Sequence, residues 1–220
     1  MSPNLIPLST AVDPLNLAMH KLLQKANVTY VSFSAQHVIS PEFFWPYDGL
    51  SLPLNATPFW PRLKTVRILA SPISPDGDWY FLPDPNVASH AEGESGKETT
   101  RPVNCAGGIN VFRRVPNPEK MNPLLIAMAK AVRYAPSLQE INLRFGSQKL
   151  TPIIRNGVDA DLKREFNLTY FAGGVTCPRQ ESESTEKPRL IWQVQDWRPD
   201  DTVDWHWREA LGPDAVMVYE

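Results

Sequence analysis

The 220-residue sequence predicts an α/β fold with one curved, mostly parallel sheet and short helices. Two observations carry that expectation. Three segments, Val28–Phe33, Leu63–Ile68 and Leu138–Leu143, share one pattern, apolar-x-x-apolar-x-apolar. Each lies just after a helical or capped segment, so strand and return segment alternate. Size and composition fit a single domain over 1–220: 42% apolar and 21% charged residues are ordinary globular values, and a chain this long buries roughly 70% of its unfolded surface.

The elements follow in order. Residues 13–26 (DPLNLAMHKLLQKA) predict a helix, with Asp13 as N-cap and Pro14 at the first helical position. Leu15, Met19, Leu22, Leu23 and Ala26 would form its apolar face. VTYVSFS (28–34) alternates and is β-branched, a strand. Residues 41–62 hold five prolines and two tryptophans, which predicts an extended, aromatic-anchored connection without a helix. LKTVRIL (63–69) is the second strand, and SPDGDW (74–79) is a turn. Residues 84–107, polar and small, predict a flexible surface insertion. The strongest helical pattern is PEKMNPLLIAMAKAVRY (118–134), expected to begin at Asn122–Pro123, with Leu124, Leu125, Met128, Ala131 and Val132 as its stripe. Strands are expected at 138–145, 166–172, 189–195 and 215–220, a charged loop at 178–188 and a short helix at 202–211.

The three matching strands suggest an irregular leucine-rich-repeat-like stack, in which neighbouring repeats share a core. Val31 and Val66 are 35 residues apart, and Val66 and Ile141 are 75 apart, roughly two long repeats once 84–107 is looped out. Later strand centres, near 141, 169, 192 and 217, are 23–28 apart. The Asn or Cys that usually follows the third apolar position is missing. An ordinary α/β domain with alternating strands is the competing reading.

Charge and chemistry exclude more than they suggest. Lys and Arg total 22 against 24 Asp and Glu, which argues against a polybasic nucleic-acid binder or a basic membrane-surface helix. There is no membrane-length apolar run, and the N-terminal residues lack a signal-peptide pattern, so an intracellular site, cytoplasmic or nuclear, is expected. Cys105 and Cys177 read as reduced thiols, although a single disulfide is the other arrangement open to them. His20, His37, His90 and His206 have no zinc-ligand spacing, and the three glycosylation sequons read as chance. GESGKET (93–99) departs from the phosphate loop: Ala91 stands at the first glycine position and Glu98 follows Lys97. Asp76/Asp78, Asp159/Asp161 and Asp200/Asp201 are explained by turns and caps. No G-x-S-x-G elbow anchors a hydrolase. No catalytic residue, cofactor or metal is expected. Trp192, Trp197, Trp205 and Trp207 are expected mainly as a structural cap on the last strand; an aromatic docking patch is the sharper alternative.

The blocks ISPEFFWP (39–46), PFWPRLKTVRI (58–68), SPDGDWYF (74–81), NPLLIAMAKAVRYAPSLQEINLRF (122–145) and RLIWQVQDWRPDDTVDWHW (189–207) resemble the C-terminal, leucine-rich-repeat-like region of F-box domain proteins from filamentous fungi, over most of the chain from about residue 28. The resemblance implies substrate recognition within the ubiquitin pathway. The F-box, which recruits the adaptor of a cullin-type ligase, needs a longer helical stretch opening near a Leu-Pro pair than the residues before Val28 supply, and Ile6-Pro7-Leu8 is no substitute. The expected function is therefore non-enzymatic protein binding, with another protein as partner and neither nucleic acid nor membrane. Direct recruitment of the ligase adaptor is not expected. A small hydrolase-like enzyme is the alternative. In the repeat reading, the residues between the inward apolar positions line the concave face of the sheet: Tyr30, Ser32, Thr65, Arg67, Glu140, Asn142 and Arg144 are the expected protein-binding residues.

Overall fold

The structure is a computed structural model and describes residues 12–46, 59–83, 113–145, 166–175, 186–194 and 197–220. The expected insertion at 84–107, the GESGKET segment, Asp159/Asp161, both cysteines and most of the 178–188 loop lie outside the described residues. The elements are α1 (Pro14–Lys25), β1 (Tyr30–His37), α2 (Pro41–Phe44), β2 (Thr65–Ala70), β3 (Phe81–Pro83), β4 (Arg113–Pro116), α3 (Pro118–Tyr134), β5 (Glu140–Phe145), β6 (Phe166–Phe171), β7 (Arg189–Gln193), α4 (Asp201–Leu211) and β8 (Val216–Tyr219).

Six strands form one sheet in the order β1-β2-β5-β6-β7-β8. The fold is mixed α/β and the sheet is mostly parallel, because only β6 runs against its neighbours. The three segments that share the apolar-x-x-apolar-x-apolar pattern pair in the register that pattern implies. Val31 faces Val66 and Val66 faces Ile141; Phe33 faces Ile68 and Ile68 faces Leu143. Side chains alternate with period two, so these rows share one face. Val66, Ile68, Ile141 and Leu143 are buried, and Val31 and Phe33, on the edge strand, are partly buried. The rows continue through Tyr170, Leu190 and Met217, and through Leu168, Trp192 and Tyr219. Leu124, Leu125, Met128, Ala131 and Val132 of α3 and Val203, Trp207 and Leu211 of α4 join the same core.

Five features differ from the sequence reading. Pro41–Phe44 forms a helical turn inside the proline-rich connection, since proline at the first helical position loses no hydrogen bond. Phe43 and Phe44 bury completely there, edge to face. The long helix starts at Pro118, capped by the Asn117 side chain, and Pro123 lies inside it. The capping signal at 117–118 therefore prevails over the Asn122–Pro123 signal. A two-stranded antiparallel pair, β3 with β4, adds a small second sheet; with three and four residues, its strands are too short to show a period.

The fourth difference is the orientation of α1. Leu15 and Leu22 are 58% and 63% exposed, while Asn16, His20 and Leu23 face inward. Backbone demand explains the rotation. The Asn16 Nδ2 donates to the Asp13 carboxylate and to the Val38 carbonyl at 3.1 Å. His20 Nδ1 meets the Phe43 carbonyl at 3.0 Å, and its ring packs on Phe59 and Trp60. Buried carbonyls need donors, and the polar face of α1 supplies them. Trp60, with φ 43°, is the one non-glycine residue in the left-handed region among the described residues. Its fully buried indole, against Phe43, Phe44 and Phe59, holds that conformation.

Trp192 and Trp207 are completely buried and Trp197 is partly buried, as expected of a cap. Trp192 stacks on Tyr219 and meets Trp207 edge to face. Trp205 differs: it is 54% exposed, because it lies on the opposite side of α4 from Val203 and Trp207.

Two predictions follow from this core. Truncating Trp192 to Ala should cost about 3–5 kcal/mol, a large share of a total near 5–15 kcal/mol, and leave little soluble protein; an unchanged melting temperature would contradict the cap. Burial lowers the His20 pKa to about 4, with nearby Lys21 adding to the effect and the Phe43 carbonyl opposing it. The unfolded chain therefore binds the proton first as pH falls. Stability held above about pH 6.5 should fall by about 3 kcal/mol by pH 4. Burial lowers His37 and His206 as well, so both act in the same direction. Urea unfolding across this range should show a shallower loss in His20→Asn, which keeps a donor near the Phe43 carbonyl; an unchanged slope would assign the loss elsewhere.

Candidate functional site

The face of the sheet opposite the helices carries all seven expected binding residues. Period-two alternation puts Tyr30 and Ser32 of β1, Thr65 and Arg67 of β2, and Glu140, Asn142 and Arg144 of β5 on one side. The register makes two rows of them: Tyr30, Thr65 and Glu140 in one, Ser32, Arg67 and Asn142 in the next. Tyr30, Ser32, Arg67 and Arg144 are exposed; Thr65, Glu140 and Asn142 are partly exposed.

Arg67 sits at the centre. Its Nε donates to Glu140 Oε1 at 2.7 Å and its Nη2 to Glu140 Oε2 at 3.0 Å. This two-pronged diagonal pair fixes the guanidinium plane and raises the Arg67 pKa. The same guanidinium lies 6.0 Å from the centre of the Tyr30 ring, within cation–π range. An aromatic, a cation and a carboxylate are thus held as one rigid group. Arg144, on the same face, has no ion-pair or hydrogen-bond partner among the described residues.

From Asn142 a line of hydrogen bonds crosses four strands. Asn142 Nδ2 donates to Asn167 Oδ1 and to Thr169 Oγ1, both at 2.7 Å. Asn167 Nδ2 donates to Gln193 Oε1 at 2.6 Å, and Gln193 Nε2 to Glu220 Oε2 at 2.7 Å. Each amide points its donor toward the terminal carboxylate, so the dipoles reinforce one another. Asn167, Thr169, Gln193 and Glu220 were missed by the sequence reading. The alternation in FNLTYF puts Asn167 and Thr169 on one face; the apolar run in RLIWQ marks a strand without showing which way Gln193 points, and no local pattern signals Glu220. The face is not polar throughout. Phe171 and Ile191 are buried on it and make a small separate cluster with Val175, so the open part lies over β1, β2 and β5.

The other polar groups serve the fold. Asp76 and Asp78 both clamp Lys120, at 2.5 and 2.8 Å, tying the 74–79 turn to α3. Asp200 caps α4 through the Val203 amide at 2.9 Å. On the helical side, a cleft between Trp45, Lys130, Arg133, Tyr134, His206 and Glu209 has about 30 Å³ of space, enough for about two waters. Its Arg133 is paired with Glu209 at 2.5 Å. Among the described residues, no group of three or more His, Cys, Asp or Glu side chains could hold a metal ion, and no helix is long and apolar enough to cross a membrane. Comparison of the chain with protein-family models, curated proteins and solved structures returns no match.

Proposed function

We propose that this chain is a non-enzymatic protein-binding module whose recognition surface is the outer face of β1, β2 and β5. One observation supports the reading above all others: seven residues distant in sequence fall on one face, in register, as an ordered aromatic–cation–carboxylate group beside an unpaired arginine. Tyr and Arg are common energetic anchors of protein interfaces, and a mixed polar and aromatic surface suits a protein partner better than an apolar ligand or a phosphate backbone. Pre-ordering matters here, because an Arg67 already fixed by Glu140 loses little side-chain freedom on binding.

In this reading β1, β2 and β5 form an irregular leucine-rich-repeat-like stack, supported by the three-fold recurrence of the apolar pattern in a common register. The resemblance to the repeat region of fungal F-box proteins makes the bound protein a ubiquitin-ligase substrate, recognised in the cytoplasm or nucleus. Recruitment of a cullin-type ligase is no part of this proposal.

The test is a comparison of purifications from the source cell, with wild type and Arg67→Glu/Arg144→Glu as baits and mass spectrometry as the readout. Proteins recovered by wild type should be lost from the double variant. Arg67→Glu also loses the Glu140 pair and sets a second carboxylate beside it, so a loss of about 1–2 kcal/mol is expected, and thermal unfolding checks that the double variant is folded. Retention of every wild-type partner by a folded double variant would move the interface off this face.

A further inference from the structure

The outward face of α1 is a second, separate surface. Leu15 and Leu22 are the most exposed large hydrophobic side chains among the described residues, at 58% and 63%. With exposed Ala18 between them, they stand at i, i+3 and i+7, a single stripe along the helix about 10 Å long at 1.5 Å per residue. Partly buried Met19 borders it. Ordinarily such a stripe faces the core; here the core side is given to Asn16, His20 and Leu23.

The charges beside the stripe have one sign. Lys21 and Lys25 are exposed and, among the described residues, make no ion pair or hydrogen bond. Arg62 reaches the end of the helix, where its Nη1 donates to Asn27 Oδ1 at 2.6 Å, and it has no carboxylate partner among the described residues. Asp13 is the helix's nearest carboxylate, but it is buried as the N-cap. Among the described residues, no carboxylate on this face neutralises the three cations.

We propose that α1 docks an amphipathic helix of a partner protein, with an apolar stripe flanked by Asp or Glu. A straight i, i+3, i+7 row matches the ridge of a second helix, and the carboxylates would meet Lys21, Lys25 and Arg62. The α1 of a second copy brings the same lysines and no carboxylate of its own, so like charges oppose α1–α1 self-pairing. A lipid surface asks for a broader apolar face and a cluster of roughly four to eight basic residues.

The probe is a fluorescein-labelled peptide of about three heptads, Leu at a and d and Glu at e and g, titrated with the full chain by anisotropy. Saturable binding to wild type is expected. It should weaken about tenfold or more in Leu15→Ser/Leu22→Ser and in Lys21→Glu/Lys25→Glu. The lysine variant should recover with the Lys-flanked peptide. Thermal unfolding confirms that each variant is folded. Arg67→Glu/Arg144→Glu should bind the peptide normally, which separates this surface from the outer sheet face. No binding to wild type at millimolar concentration, or equal binding by the leucine variant, overturns the proposal. So does a wild-type dimer that the leucine variant dissolves, or flotation of wild type but not of that variant with phosphatidylserine vesicles.

Discussion

The register between β1, β2 and β5 is the constraint on which the rest depends. Val31, Val66 and Ile141 form one inward row, and Phe33, Ile68 and Leu143 the next. A slip of one residue in β2 would turn Val66 and Ile68 to solvent and drive Arg67 into the core. Burying that guanidinium without a partner would cost far more than a surface contact could return, so only one register is consistent with this sequence. Once it is set, α3 has an apolar surface to cover, and the polar residues between the rows have only the other face to occupy.

That second face is ordered as well as exposed. The Arg67–Glu140 pair spans β2 and β5, and the amide line from Asn142 to Glu220 spans β5 to β8. The polar contacts therefore tie the same strands that the apolar rows tie, from the opposite side. Removing one amide from the middle of the line would leave its neighbours unsatisfied, which is the costly way to lose a hydrogen bond. Both faces of the sheet thus specify one register, and the ordered polar face is what makes a recognition surface there economical in conformational entropy.

β1, β2 and β5 were legible because each carries a short alternation bounded by helix or turn signals, and Val66 and Ile141 could be aligned from that alone. Alternation in FNLTYF placed Asn167 on a strand, as the apolar run at 190–192 did Gln193. It could not show that β6 runs antiparallel, since the direction of a strand leaves no mark in a period of two. The orientation of α1 was hidden for a different reason. Its hydrophobic spacing favoured Leu15 and Leu22 as the inner face, but the unpaired carbonyls of Val38 and Phe43 selected Asn16 and His20 instead. Those carbonyls belong to residues more than twenty positions away, and no local pattern reports them. Trp205 was misjudged likewise: tryptophans crowd the C-terminal segment, but only those on the Val203–Trp207 side of α4 reach the core.

Thiol labelling tests the two-faced register most directly. Single cysteines placed in turn at Thr65, Arg67 and Arg144, and at Val66, Ile68 and Leu143, in a background with Cys105 and Cys177 replaced by Ser, would be treated with a maleimide under native conditions. The register described here requires fast labelling at the first three sites and protection at the second three until the chain is unfolded in urea. Protection at Arg67 and Arg144, or fast labelling at Val66 and Ile68 in a folded chain, would contradict it.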